Sequence, residues 1–123
     1  MNDNRSNPFA NAIRGIIACY RSERNFKVHL ICATTATALG IWIELTPTEW
    51  LWICLCIAVV FVSELLNTAI ETVVDLVSPT FHPLAKKAKD AAAGAVLVAA
   101  IFAALAGAII FIPKLYAYFL HLS

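Results

Sequence analysis

The sequence predicts an all-α integral membrane protein: one N-terminal interfacial amphipathic helix followed by three transmembrane helices. Three observations carry that expectation. Of the 123 residues, 61% are hydrophobic and only 14% charged, and mean hydropathy is +0.79. A soluble domain is about half apolar and about a quarter charged, so this chain has too few charges to cover a water-soluble globule. Secondly, three apolar runs approach the ~20 residues needed to cross a bilayer. Thirdly, lysine and arginine are confined almost entirely to alternate connections, as the positive-inside rule requires. One domain exhausts the length. A net charge of +1 from 9 basic and 8 acidic residues argues against a nucleic-acid binder, and the apolar fraction argues against disorder.

The N-terminal segment is polar, with no apolar h-region and no small-residue cleavage site, so it does not read as a signal peptide. Phe9, Ile13, Ile16, Ile17 and Tyr20 recur at helical spacing and form one apolar stripe over about residues 8–24. Asn7 is the expected N-cap, with Pro8 at the first helical position. A helix with one such stripe lies in the membrane interface. The spans are expected at about 26–43, 47–78 and 90–112. The second, at ~1.5 Å per residue, is ~48 Å long and protrudes beyond the bilayer. Its start is marked by Thr46 as N-cap, Pro47 at N1 and Glu49 at N3, a capping box.

Arg5, Arg14, Arg21, Arg24 and Lys27 precede the first span, and Lys86, Lys87 and Lys89 lie before the third. The connection from Glu44 to Glu49 has no lysine or arginine, and the tail has only Lys114. This split puts the N-terminus and the second connection in the cytoplasm and the C-terminus outside. Trp42, Trp50 and Trp52 gather at the outer end like an aromatic belt. The four cysteines, Cys19, Cys32, Cys54 and Cys56, have no metal-binding spacing and read as small apolar packing residues. His29 and His121 show no partner.

The chemistry concentrates on the second span. At ~100° per residue, Glu64, Asn67, Thr68, Glu71 and Asp75 fall within one third of the helix circumference. Carboxylates are costly in a membrane helix, so this face looks onto protein or water. Counted from Trp50, Glu64 lies ~21 Å in and Glu71 ~32 Å in, near the cytoplasmic headgroups. Transporter sites sit near the midplane; this one is where a cytosolic molecule can reach. Two carboxylates, one deeper than the other, suit a general base and a metal ligand. Asp90 is expected at the N-terminus of the third helix, as a cap and a participant in an anion or metal site. Carboxylates, lysines and arginines at one level imply a magnesium–phosphate site. The four glycines form no phosphate-binding loop, so side chains and Mg²⁺ must hold any nucleotide. His82, in the second connection, is within reach of a phosphate. The small residues of the third span, from Ala91 to Gly107, permit close helix approach, and oligomerisation is expected.

Glu64-Leu-Leu-Asn67-Thr68-Ala-Ile-Glu71-Thr-Val-Val-Asp75 and Ala88-Lys89-Asp90-Ala-Ala-Ala-Gly94-Ala-Val strongly resemble the signature of the small prokaryotic diacylglycerol kinases, a family that includes the undecaprenol kinases. The resemblance covers nearly the whole chain. Ser22-Glu23-Arg24-Asn25-Phe26-Lys27 and His82-Pro83-Leu84-Ala85-Lys86 look most like the undecaprenol kinase branch. It implies a single membrane-embedded lipid kinase domain over 1–123 in the bacterial plasma membrane. The assembly it implies is a homotrimer with sites shared between neighbouring subunits, ATP as phosphoryl donor and Mg²⁺ as cofactor. Glu64 is then the catalytic base, supported by Asn67, and Glu23 and Glu71 are metal ligands that also bind ATP. His82, Lys89 and Asp90 surround the nucleotide; Asn11 and Arg14 join them from the N-terminal helix, where Arg14 and Gly15 match the family more closely. Glu64 and Trp50 are expected on the acceptor lipid. Undecaprenol is the expected acceptor, with diacylglycerol as the alternative. A small proton-coupled transporter using Glu64 is a more distant reading, disfavoured by depth and by the one-sided charge.

Overall fold

The computed structural model describes residues 7–122; Arg5, counted above among the basic residues, lies outside them. Four helices follow in order: α1 (Pro8–Ser22), α2 (Arg24–Trp42), α3 (Pro47–Val77) and α4 (Pro83–Leu122). Among the described residues there is no strand. α3 and α4 pack along each other most extensively, α2 lies against α3, and α1 touches both α2 and α3.

α1 begins where its local signals put it. The Asn7 side chain accepts from the Phe9 N–H at 3.0 Å, and Pro8 needs no hydrogen-bond acceptor at the first position. The helix ends at Ser22, earlier than the expected 24. Glu23 takes extended backbone (φ −109°, ψ 117°) and its N–H closes onto Cys19 O at 2.8 Å. This single extended residue separates the amphipathic, largely exposed α1 from α2.

α2 ends in a Schellman motif. Leu45 N–H bonds Gly40 O at 3.1 Å and Glu44 N–H reaches Ile41 O at 3.4 Å, with Glu44 in the left-handed region at φ 57°. The reversal folds Leu45 back over Gly40. A Cβ added at Gly40 would stand 2.8 Å from both Leu45 Cδ1 and Trp50 Cη2. Only glycine lets the buried Leu45 and the Trp50 ring close this corner. Gly40→Val is therefore expected to destabilise the chain by about 1–3 kcal/mol through overpacking, read as an earlier midpoint in a denaturing-detergent titration.

The start of α3 carries the full capping box: Glu49 N–H donates to Thr46 Oγ1 at 3.3 Å and Thr46 N–H to Glu49 Oε2 at 2.8 Å. The helix runs to Val77, one residue short of the expected end, with Ser78 as C-cap.

α4 departs from expectation at both ends. It begins at Pro83, two turns before residue 90, because His82 Nδ1 accepts the Leu84 N–H at 3.1 Å and Pro83 suits the first helical position. Asp90 is thus inside the helix and is not its cap; it pairs with Lys86 one turn earlier. At the other end the helix passes residue 112 and continues through Pro113 to Leu122. Contacts from other elements hold this extension. Lys114 Nζ pairs with Glu49 Oε2 at 2.8 Å, and Tyr118 meets Trp42 edge-on at 4.9 Å. Forty residues make a rod of ~60 Å.

α3 and α4 are long and apolar enough to cross a membrane. Their apolar faces are largely uncovered by the rest of the chain: Leu97, Val98, Leu105 and Ile109 are all exposed. Such a surface needs lipid or another chain against it. The four cysteines are free thiols, Cys19 and Cys56 buried, Cys32 and Cys54 exposed, so the packing role fits two of them within the chain.

Candidate active site

The polar face of α3 faces the other helices at its deep end. Glu64 is 2% exposed, the one buried charged residue among those described. Burying a carboxylate without a partner costs several kcal/mol, and here the partner comes from α2: His29 Nε2 lies 3.0 Å from Glu64 Oε1. An ionised carboxylate only accepts hydrogen bonds, so in that state of Glu64 the contact requires a proton on His29 Nε2. One turn before each member, Phe26 and Phe61 meet with tilted rings, 5.0 Å between centroids and 59° between planes. Local sequence patterns missed this partner, since 35 residues separate the two and neither carries a sign of the other.

Further along α3, Asn67 Nδ2 donates to Glu71 Oε1 at 3.4 Å. Asn67, expected to support Glu64, thus spends its amide N–H on Glu71, while Asn67 Oδ1 and Thr68 Oγ1 are buried without a partner. Glu71 is half-buried and lies two turns, ~10 Å, beyond Glu64 along the axis. Glu23, also half-buried, lies six residues before His29, ~9 Å along α2. The two carboxylates therefore stand at about the same level beyond the His29–Glu64 contact.

Beyond them, the last turns of α3 and the first of α4 enclose a charged cleft of about 390 Å³, walled by Asp75, Ser78, His82, Lys86, Lys89 and Asp90. Three of the expected nucleotide residues, His82, Lys89 and Asp90, meet here. Lys89 Nζ reaches across to Asp75 Oδ1 at 2.5 Å. That hydrogen bond raises the Lys89 ammonium above the usual lysine range, against a smaller opposing effect of desolvation. Lys86, read from sequence only as a topogenic charge, is a wall of the cleft. The capping bond occupies His82 Nδ1 and leaves Nε2 for a ligand.

The remaining expected residues lie apart from the cleft's walls. Arg14 Nη1 donates to Asn11 Oδ1 at 3.5 Å, within exposed α1. Trp50 packs over Gly40 at the other end of α3, ~21 Å from Glu64 along the axis.

On the opposite side of Glu64 from the cleft, α2, α3 and α4 enclose an apolar groove of about 340 Å³, with His29 at the end nearest Glu64 and Phe111 towards the far end. A molecule with a greasy chain and a polar head thus finds a carboxylate between an apolar groove and a charged cleft.

Among the described residues, no three His, Cys, Asp or Glu side chains gather as a resident metal centre would. Mg²⁺ bound with a nucleotide needs only one or two carboxylates, the phosphates and water supplying the rest. Glu23 and Glu71 are hard oxygen donors of that type, and the unpartnered Asn67 Oδ1 beside Glu71 is a further oxygen. The donor set fits.

Residues 10–111 match the family model described as prokaryotic diacylglycerol kinase. The chain is 50% identical over 107 residues to the undecaprenol kinase of Bacillus subtilis, covering 87% of each protein. It is 39% identical over 108 residues to the diacylglycerol kinase of Synechocystis, covering 87% of this chain and 62% of that one. Over 90 residues it is 30% identical to the diacylglycerol kinase of Escherichia coli K12, covering 73% and 74% respectively. A buried carboxylate between an apolar groove and a charged cleft, on helices fit to cross a membrane, is what a kinase of lipid alcohols requires, and the chain belongs to the prokaryotic diacylglycerol kinase family.

Proposed function

We propose that this lipid kinase transfers the γ-phosphoryl group of ATP to the hydroxyl of undecaprenol at the cytoplasmic face of the membrane, giving undecaprenyl phosphate and ADP. The observation that carries the reading is the position of Glu64, buried between the apolar groove and the charged cleft. The 50% identity to an undecaprenol kinase favours that acceptor. Diacylglycerol is the second reading, favoured by the names of the other two relatives.

In this mechanism the acceptor's chain stays in the membrane and its hydroxyl meets Glu64, the general base, which accepts the proton as the new O–P bond forms. The bond from the γ-phosphorus to the bridging oxygen breaks and ADP leaves towards the cytoplasm. Phosphoryl transfer asks little covalent chemistry of the protein and much positioning and charge neutralisation. Lys89, His82 and Asp90 hold the nucleotide from α4, and Arg14 and Asn11 from α1. Glu23 and Glu71 hold Mg²⁺, which supplies neutralisation of the phosphate charge; Asn67 fixes the Glu71 carboxylate. Trp50, near the outer surface, is left to the distal part of the acceptor chain.

The topology that serves this mechanism has three spans, α2 to α4, with α1 lying in the cytoplasmic interface and the C-terminus outside. α2 supports a span because Thr34, Thr35 and Thr37 donate their hydroxyls to the carbonyls of Leu30, Ile31 and Ala33, hiding polarity within the helix. The exposed stripe Phe9, Ile13, Ile16, Ile17 and Tyr20 supports the interfacial placement of α1. The uncovered apolar face of α4 supports assembly, as a homotrimer with sites shared between neighbours.

The test supplies purified full-length protein in mixed micelles with γ-labelled ATP, Mg²⁺ and one acceptor at a time. Label is expected in undecaprenol at least about tenfold faster than in diacylglycerol, the lower end of what a single methylene-sized contact is worth. Faster labelling of diacylglycerol overturns the acceptor, and label in neither overturns the mechanism.

A further inference from the structure

We propose that His29 is the positioning residue for Glu64: its imidazole N–H holds one carboxylate oxygen so that the other is presented to the acceptor hydroxyl. The proposal rests on the reading of Glu64 as the base. Three observations lead to it. The two side chains meet at 3.0 Å, through His29 Nε2 and Glu64 Oε1. The Glu64 side chain is 3% exposed and that of His29 21%, so the histidine stands between the carboxylate and the surroundings. Among the described residues, His29 is also the only wall of the apolar groove with a polar side-chain atom, apart from the thiols of Cys32 and Cys56.

The physical argument follows from what a buried base needs. A carboxylate has two oxygens and a freely turning Cδ axis, and proton abstraction requires one oxygen within hydrogen-bond reach of the hydroxyl. Glu64 is followed on α3 by Leu65 and Leu66, whose side chains have no polar atom that could orient the carboxylate. Asn67, the nearest amide on α3, is engaged with Glu71. The N–H from α2 is therefore what sets the carboxylate's rotation, and it also offsets part of the desolvation of a buried charge. The acceptor's chain enters along the groove that His29 bounds, so its hydroxyl arrives beside the oriented carboxylate. Because α2 and α3 meet sparsely elsewhere, this contact also couples the position of α2 to the base.

The experiment compares His29→Ala, His29→Gln, Glu64→Gln and the double variant His29→Ala/Glu64→Gln, as full chains in mixed micelles. Both kcat and KM are measured for the lipid alcohol and for ATP. His29→Ala is expected to lower kcat about 10- to 100-fold, the cost of a misplaced reacting group, with the KM for ATP changed less than about twofold. His29→Gln, whose amide N–H occupies nearly the place of Nε2–H, is expected to recover kcat to within about fivefold of the unchanged chain. In the Glu64→Gln background, His29→Ala is expected to add less than about a twofold further loss, as for residues acting through one another. If His29→Ala fails to assemble, His29→Gln and its kcat remain to decide. Normal turnover of His29→Ala beside a slowed Glu64→Gln overturns the proposal alone, as does a His29→Gln as slow as His29→Ala or a full additive loss in the double variant. Normal turnover of Glu64→Gln overturns the base itself and this proposal with it.

Discussion

Glu64→Gln is expected to cut turnover at least ~100-fold, to a small residual rate, while leaving ATP binding intact. The substitution keeps the shape of the side chain and an acceptor oxygen for the His29 N–H, but removes the group that takes the hydroxyl proton. General-base catalysis contributes at least ~100-fold, and among the described residues no other carboxylate is buried: Glu71 and Asp75 lie two and three turns nearer the end of α3. The check is the rate of label transfer from ATP to the lipid alcohol, with nucleotide binding measured in parallel. A variant retaining more than about a tenth of its rate would remove Glu64 from the role of base.

Glu71→Ala and Glu23→Ala are expected to raise the Mg²⁺ concentration required for half-maximal activity by about tenfold or more, or to abolish nucleotide binding. Mg²⁺ in nucleotide sites is held by one or two carboxylates together with phosphate oxygens, so losing either carboxylate removes much of what the protein contributes. Glu71→Ala also strips Asn67 of its amide's acceptor and is expected to be the more severe. Titration of Mg²⁺ against activity at saturating ATP reads the effect. An unchanged Mg²⁺ dependence in both variants would place the metal elsewhere.

Much of this site was legible along the chain. The face bearing Glu64, Asn67, Thr68, Glu71 and Asp75 needs only the helical repeat, and the spacing of its carboxylates along the axis needs only the rise per residue. The caps at Asn7 and Thr46 are contacts between residues two or three apart, which local sequence specifies. The misplaced start of α4 had a local cause too. His82 uses its ring nitrogen, not an oxygen, to cap the helix, and the usual list of capping residues passes over it. Asp90 consequently moves from the mouth of the helix to its side, where it walls the cleft with Lys86 and Lys89.

The sequence by itself determined the all-helical class, most of the helix limits and which residues put charge on the apolar helix α3, because apolar runs, caps and the helical repeat act over one or two turns. Only the tertiary structure decided which charges meet. His29 finds Glu64 across 35 residues, Lys89 finds Asp75 between α4 and α3, and Lys114 finds Glu49, where α4 runs on past its expected end at residue 112. Each of these pairs is set by how the helices pack, and the separation of its members along the chain leaves no periodicity from which to read it. For His29 the consequence is functional: a residue with no visible partner in the sequence bounds the groove and holds the buried carboxylate.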